Sequence, residues 1–311
     1  MVYAFGEFLV RSRFMLPRIR FLPLSNPSPP PPVSSQQHGS WATLLELRTL
    51  DADSSSLLFR RCREHSTTLG ALLACVACAC VARQAAKAEN GDASGRVWLH
   101  MTVDMRRLAD SVMPGLREEP VGHHAVFLID TSMPVRDLLS SSSRPADFWR
   151  MARHQRDEFA SNFATRHRHL ANHVIAGSTA GFQKDLLVTY LRTKQQPKGG
   201  TVSLSNLGLV TPPPPDPSSS PSASLLASAG LRGYLFPSAD AMQGLGVLDV
   251  RGAVSQSMPT RHVCITSMTM DGTLRLSFSY ADFSVSRHGA AEYADDFVAL
   301  LQSLISSERM G

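Results

Sequence analysis

Two adjacent histidines, His123 and His124, are the side chains best suited by type to acid–base chemistry. Histidine is the side chain that most often acts as general acid or base. The residues after this pair include the apolar Leu128 and Ile129. The residues after the pair form an apolar run that predicts a strand, in which adjacent side chains point to opposite faces. We therefore expect a strand-edge pair without a catalytic role.

Clustered cysteines and histidines suggest a second kind of chemistry, metal binding. Cys75, Cys78 and Cys80 lie within six residues, but zinc sites place such a pair on a turn and need further ligands elsewhere. The segment is predicted to be helical, so Cys80 points away from the other two. His169 and His173 have the i, i+4 spacing of helix-borne ligands, without an HExxH pattern or an evident third ligand. We interpret the cysteines as buried core thiols and predict no metal site.

Motifs for other kinds of catalysis do not occur in the sequence. Ser66, Ser205 and Ser284 lack a GxSxG elbow, and neither a Walker A nor a GxGxxG motif is present. The formal net charge of +5 suits either an ordinary solvated surface or a phosphate-bearing ligand such as coenzyme A. The total of five cysteines is odd and indicates a reducing compartment rather than a disulfide framework, so we expect a cytoplasmic protein.

The start of the chain and one internal stretch differ in composition from the rest. Residues 1–25 carry four arginines against one acid, which is typical of a mitochondrial presequence or of a mistranslated leader. Residues 26–40 are a Pro/Ser linker, so we expect residues 1–40 to be a leader or disordered segment. The folded domain is predicted to span 41–307, with a low-complexity loop at 211–224.

Hydrophobic patterns predict strands and helices within that domain. Strands are predicted at 44–50, 97–103, 121–130, 202–210, 230–236, 246–250, 261–270 and 274–280. Helices are predicted from about 54 to 65 and at 69–87, 147–173, 185–193 and 290–305. Asp271-Gly272 predicts a tight hairpin turn, and the serine run 140–143 predicts a loop.

The helix at 69–87 is apolar almost all round. Asp51 or Asp53 is suited to cap the helix before it, and Thr67 or Thr68 is suited to cap this one. Its uncharged stretch is shorter than the roughly 20 residues of a membrane span. We therefore predict a deeply buried helix and no transmembrane segment.

The helix at 147–173 is amphipathic and carries Arg150, Arg153, Arg156 and Arg168 on its polar side. A nucleic-acid-binding helix is one interpretation of these arginines. Acidic residues are interleaved with them, and no helix-turn-helix or zinc context surrounds the helix. The second interpretation is an ordinary solvated helix, and we predict no nucleic-acid partner.

Five segments, in order, resemble the C-terminal half of the condensation-domain and alcohol-acetyltransferase superfamily of CoA-dependent acyltransferases. They are Phe59–Leu73, similar to a CREHGVTLNALL pattern; Leu99–Arg106, similar to a strand ending in vDlR; the strand after Gly122; Val202–Gly208, similar to isNlG; and Leu274–Ser284 with the closing helix. The resemblance covers about residues 41–307. It implies an α/β (α+β) fold like half of a chloramphenicol acetyltransferase, with a mixed β-sheet covered by helices.

The resemblance also implies a function. Members of the family move an acyl group from a thioester to an acceptor in a tunnel between two similar halves. In the family, the second histidine of an HHxxxDG motif acts as general base on the acceptor; here Leu128 and Ile129 occupy the positions of the aspartate and the glycine after His123 and His124. We expect a protein similar to enzymes that transfer an acyl group from acyl-CoA to an alcohol, truncated or degenerate because HHxxxDG is absent. Acyl-CoA is then a co-substrate, and no bound cofactor is expected. The alternative is a non-catalytic binding or scaffold protein on the same half-fold.

The candidate site residues follow from the same resemblance. Ser203, Ser205, Asn206 and Gly208 lie on the segment similar to the strand that approaches the acyl channel. We predict that these four residues bind substrate, and we predict no catalytic residue.

Overall fold

The computed structural model describes residues 42–88, 95–104, 125–164, 202–210, 234–235, 246–247, 251–253, 263–281 and 285–307. The predictions for residues 1–40, for His123 and His124, for the helix at 185–193 and for the loop at 211–224 lie outside these ranges. The limits of the folded domain stay a prediction.

The described chain contains eight strands and five helices. The strands are β1 (Thr43–Leu50), β2 (Arg96–Asp104), β3 (Ala125–Pro134), β4 (Val202–Val210), β5 (Tyr234–Leu235), β6 (Gly246–Val247), β7 (Val263–Met270) and β8 (Thr273–Ala281). The helices are α1 (Ala52–Glu64), α2 (Leu69–Ala88), α3 (Val135–Ser142), α4 (Pro145–Ala164) and α5 (Arg287–Ser306).

Six of the strands form one mixed sheet in the order β1-β8-β7-β4-β2-β3. The strands β2, β4 and β7 are parallel to one another at its centre, whereas the β1–β8, β7–β8 and β2–β3 pairs are antiparallel. Parallel neighbours need long crossover connections, and α3 and α4 lie in the connection from β2 to β4. The mixed sheet with its helices confirms the predicted α+β fold class.

A tight turn at Asp271 and Gly272 joins β7 to β8, as the sequence predicts. Both residues have positive φ angles, 50° and 74°, which is the conformation of a type I′ hairpin turn. The turn fixes the register of β8, and Phe278 of that strand packs edge-on against Tyr293 and Phe297 of α5. These aromatic contacts attach the closing helix to the sheet.

Side-chain caps begin three of the helices. Asp51 accepts a hydrogen bond of 2.7 Å from the amide of Ser54 at the start of α1, and this bond holds the pKa of its carboxyl below the usual value. Thr68 accepts one of 3.2 Å from the amide of Ala71 at the start of α2. Ser286 caps α5 in the same way. The first two caps confirm the predicted helix starts, because they satisfy amides that have no partner within the helix.

The helix α2 lies at the centre of the core. Its residues from Gly70 to Ala82 are all buried, since β2 and β4 lie on one side of it and α3, α4 and α5 on the others. By length and composition alone the stretch Leu69–Lys87 could cross a membrane, but 83 % of its most apolar window is buried inside the fold. The core helix of a soluble domain has this property, and the predicted burial of α2 is confirmed.

The prediction of a loop at the serine run 140–143 is wrong, because α3 extends through Ser142. The hydroxyls of Ser140 and Ser142 donate to carbonyls three residues earlier, at 3.1 and 3.0 Å. Serine disfavours helix interiors by competing for backbone groups in this manner. The burial of Val135 and Leu138 against the core compensates for that weak propensity.

The turn between α1 and α2 is fastened to α4. The ring of His65 stacks on Trp149 with centroids 4.4 Å apart. Arg153 donates to the carbonyl of His65 at 3.0 Å, and Arg156 donates to the carbonyl of Ser66. Two arginines on the basic side of α4 therefore hold the backbone of this turn, which gives them a structural role.

Ser66 in this turn has a positive φ of 52°, so Ser66→Gly is expected to stabilise the protein. A residue with a Cβ is strained in the left-handed region whereas glycine is not. Part of this relief is offset by the freedom that glycine gains in the unfolded chain, leaving roughly 0.5–1 kcal/mol. Urea denaturation measures the change. The control Ser56→Gly, at an exposed position inside α1, should lower the stability, and a fall for both variants would contradict the prediction.

Candidate functional site

Alternate residues along the strands divide the sheet into two faces. One face, called the helix face, carries Met101, Leu204, Ile265 and Phe278, which are register partners across β2, β4, β7 and β8. The helices α1, α2 and α5 cover this face. A ligand could reach only the opposite face without unpacking the core.

The opposite face, called the polar face, carries hydroxyl, thiol and imidazole groups in two rows across the same four strands. One row is His100, Ser203, Cys264 and Ser279, and the other is Thr102, Ser205, Thr266 and Ser277. Neighbours within a row are direct register partners on strands about 4.8 Å apart.

The polar face differs in exposure along its length. The side chains on β7 and β8 are buried, whereas His100, Thr102 and Ser205 on β2 and β4 are half-buried. Each row is thus covered on β7 and β8 and reaches solvent at its β2 end. Beyond β8 the same face continues onto β1, where Leu45 and Leu47 are 45 % and 44 % exposed. The open end formed by β2 and β4 is the candidate site.

The structure brings two of the four predicted substrate-binding residues together. Ser203 and Ser205 both lie on the polar face. Asn206 points to the helix face, where a Cβ added to Gly70 of α2 would lie 3.4 Å from its Nδ2. Gly208 lies further along, at an irregular end of β4 with a φ of 76°. One strand cannot turn all four toward a single ligand, and their role in binding stays a prediction.

Asn206 builds the irregular end of β4. Its Oδ1 accepts hydrogen bonds of 3.1 Å from the amide of Gly208 and from the hydroxyl of Ser267. The register between β4 and β7 shifts between Asn206 and Leu209, as in a β-bulge. This shift leaves Leu207 and Leu209 exposed, by 53 % and 66 %. Asn206 therefore has a structural role independent of any ligand.

Asn206→Ala is expected to lower the free energy of unfolding by roughly 1–3 kcal/mol, because an amide and a hydroxyl lose their acceptor. Urea denaturation measures this loss. The matched control is Ser205→Ala on the other face of the same strand, which should change stability by less than about 1 kcal/mol. Equal losses for the two variants would show that Asn206 has no special role in the bulge.

Residues 251–253 cross the polar face. Arg251 donates a hydrogen bond of 3.1 Å to the hydroxyl of Thr49 on β1. A Cβ added to Gly252 would lie 2.5 Å from Cγ2 of Thr266, a separation that real Cβ atoms do not reach. The missing side chain of glycine is therefore what allows this backbone to lie directly on the sheet.

Gly252→Ala is expected to lower the free energy of unfolding by roughly 1–3 kcal/mol through overpacking against Thr266. Thr266→Ser removes the clashing methyl group, so the alanine should cost clearly less in that background. A double-mutant cycle by urea denaturation measures the difference. Equal costs in the two backgrounds would show that residue 252 does not press on Thr266.

Two polar atoms on this face are buried without a hydrogen-bond partner in the part of the chain that the structure describes. They are the hydroxyl of Thr266 and the indole N–H of Trp98. Trp98 lies two residues before His100 on β2, and the two rings stack with centroids 5.9 Å apart. Buried polar groups are nearly always paired, and buried atoms without a partner among the described residues also occur away from this face, at Gln84, Trp149 and Tyr280. The two atoms make the polar face compatible with a hydrogen-bonding ligand without singling it out.

The cysteines are free and buried, as the sequence predicts. Burial raises the pKa of the Cys62 and Cys78 thiols to about 12, and that of Cys75 well above its usual value. Protonated thiols are poor nucleophiles and poor metal ligands. Among the described residues, no group of three or more His, Cys, Asp or Glu side chains is arranged to hold a metal ion.

No family model and no curated protein matches the sequence. Solved structures do match over most of the chain. The trichothecene 15-O-acetyltransferase of Fusarium sporotrichioides aligns with 85 % of this chain and 47 % of its own at 12 % identity, with a TM-score of 0.56. The cyclization-docking bidomain of a nonribosomal peptide synthetase from Sorangium cellulosum aligns with 98 % and 48 % at 16 % identity, with a TM-score of 0.55.

A third match is the condensation domain of the Monacolin K polyketide synthase MokA. It aligns with 94 % of this chain and 53 % of its own at 12 % identity, with a TM-score of 0.54. The chain thus spans about half the length of each of these structures. Together they show that the chain has the fold of about half of a condensation domain or of an O-acetyltransferase. The predicted resemblance is confirmed at the level of the fold.

Reasoning from sequence alone missed His100 in the candidate site, and it missed Thr266 and residues 251–253 on the covered part of the polar face. His100 and Thr266 each lie in a predicted strand, and the alternation of that strand shows which neighbours share their face. It does not show which other strand lies beside them. Strand pairing is a long-range property, and no local signal in the sequence identifies it.

Proposed function

We propose that this protein acts in acyl transfer, binding an acyl-CoA donor for transfer of its acyl group to an alcohol. The observation that carries the proposal is the polar face, where Ser203 and Ser205 on β4 lie beside β2, whose Trp98 indole N–H has no hydrogen-bond partner among the described residues. Groups that donate hydrogen bonds in this way can bind the amide and carbonyl oxygens of a CoA thioester. The acyltransferase-like fold supports the same chemistry.

Charge and cysteine chemistry also favour this ligand class. The net charge of +5 is compatible with a ligand that has phosphate groups. Free, buried cysteines are compatible with a reducing compartment, so a cytoplasmic location is part of the proposal. Acyl-CoA enters as a co-substrate rather than as a bound cofactor.

A second candidate function is the binding of acyl-CoA without catalysis. The observation that favours it is the absence of HHxxxDG from this sequence, where Leu128 and Ile129 follow the histidine pair. A general base is typically worth about 10²–10⁴-fold in rate. A protein that binds acyl-CoA and lacks a base would act as a scaffold or carrier.

Calorimetric titration of the purified chain with acetyl-CoA and palmitoyl-CoA tests donor binding. Ser205→Phe places a large ring at the open end of the polar face and should weaken binding by about tenfold or more, equivalent to about 1.4 kcal/mol. The control Ser303→Phe, at an exposed position on α5, should leave binding unchanged. An absence of binding by the folded protein would overturn both candidate functions.

Turnover separates the two candidates. Release of free CoA thiol is followed with short-chain and long-chain alcohols as acceptors. The buried thiols Cys62 and Cys78, with pKa values of about 12, should react too slowly to obscure the signal. Thiol release that depends on the alcohol supports the acyltransferase, and binding without release supports the scaffold.

A further inference from the structure

The strand β1 forms one edge of the six-stranded sheet. It pairs with β8 on one side and with no other strand in the described part of the chain. It runs for eight residues without a proline or a lysine, and it pairs with β8 without a bulge. Proline, lysine and bulges are common on edge strands because they keep the unpaired backbone groups from pairing with a second chain. The edge of β1 lacks these features and is suited to a further strand.

One face of β1 is apolar and exposed. Four large apolar side chains are exposed among the described residues, and two of them, Leu45 and Leu47, lie on β1. Both belong to the polar face of the sheet, since their register partners on β8 are Ser279 and Ser277. An added strand with apolar side chains on this face would cover both leucines.

The other face of β1 carries one charge of each sign. Glu46 and Arg48 lie on the helix face, where Arg48 donates to Glu46 at 3.1 Å and to Asp295 of α5 at 2.7 Å. Charges that point inward at an edge discourage an added strand unless that strand brings opposite charges to them. The occupant of this edge must therefore place a basic residue beside Glu46 and an acidic residue beside Arg48.

A second copy of β1 meets these requirements in one antiparallel register. With Leu47 opposite Leu47 of the second copy, two-fold symmetry places each Glu46 opposite an Arg48 and each Leu45 opposite a Thr49. A shift by two residues in one direction brings Glu46 opposite Glu46, and in the other direction it brings Arg48 opposite Arg48. A shift by one residue places the helix face of one copy beside the polar face of the other.

We infer that this protein forms a two-fold dimer through β1, in which the two sheets join edge to edge. The strand selects its own copy as partner because it is complementary to its reverse in charge and in apolar character. The dimer does not involve the open end of the polar face, since β2 and β4 lie toward the other edge of the sheet. The inference is therefore independent of the proposed acyl-transfer function.

Sedimentation equilibrium of the full chain tests the dimer. At about 100 μM protein the unaltered chain is expected to have the mass of two chains and to dissociate on dilution. Leu47→Lys places two like charges opposite each other at the two-fold axis and should raise the dissociation constant by about tenfold or more. The control Leu209→Lys replaces another exposed leucine, on β4, and should leave the dissociation constant within about twofold.

An exchange of charges tests the register. Glu46→Lys and Arg48→Glu each place like charges opposite each other twice in the dimer, so each variant alone should dimerise about tenfold more weakly. In a mixture of the two variants, a heterodimer pairs the introduced lysine with the introduced glutamate and pairs Arg48 with Glu46. It should form about tenfold more tightly than either homodimer of the variants. Circular dichroism checks that both variants fold, and Leu47→Lys decides the question if one does not.

Each result has one meaning for this interface. A dimer that Leu47→Lys weakens, that Leu209→Lys leaves unchanged and that the mixed variants restore supports the inference. A monomeric unaltered chain at about 100 μM overturns it, and so does a dimer that resists Leu47→Lys or is lost in Leu209→Lys. A mixture that associates no more tightly than the single variants overturns the register. Binding of acetyl-CoA is measured separately by calorimetry, so the failure of the dimer leaves the proposed function standing.

Discussion

Burial of the apolar helix α2 is the constraint on which the rest of the structure depends. Each Å² of apolar surface removed from water stabilises the folded state by about 25 cal/mol. A helix that is apolar all round is therefore most stable when it is enclosed on all sides. Its alanine and cysteine side chains let neighbours reach its backbone. The Tyr293 hydroxyl donates to the carbonyl of Ala77 at 2.9 Å, and Gln84 donates to the carbonyl of Gly289 at 3.2 Å. These bonds attach α5 to α2, and the turn fastened to α4 holds the start of α2.

Covering one face of the sheet in this way leaves the other face for ligand chemistry. Residues that serve the fold and residues that could serve a ligand then alternate along β4. Leu204 and Asn206 point toward the helices, whereas Ser203 and Ser205 point away from them. The motif from Ser203 to Asn206 therefore combines residues that build the fold with residues that face a possible ligand. Its resemblance to a family pattern can reflect the structure of the bulge as much as the binding of a substrate.

Features set by nearby residues could be predicted from the sequence, and features set by long-range pairing could not. The Asp51 cap and the Asp271-Gly272 turn depend on residues a few positions apart, so local chemistry determines them. The helix α3 was missed because tertiary packing outweighs the weak helix propensity of its serines. For the candidate site, Ser203 and Ser205 could be predicted from family resemblance, but their nearness to His100 required knowledge that β4 lies beside β2.

The polar face couples stability to binding. The Thr266 hydroxyl and the Trp98 indole N–H are buried without partners among the described residues, and each such group costs roughly 1–3 kcal/mol. A ligand whose carbonyl or amide oxygen reached the Trp98 N–H would recover part of that cost, so this unpaired donor favours an occupant with acceptor atoms. Gly252 holds the crossing backbone directly above Thr266, which leaves little room over β7. An occupant would therefore bind over β2 and β4, where the side chains are half-buried and where His100 lies.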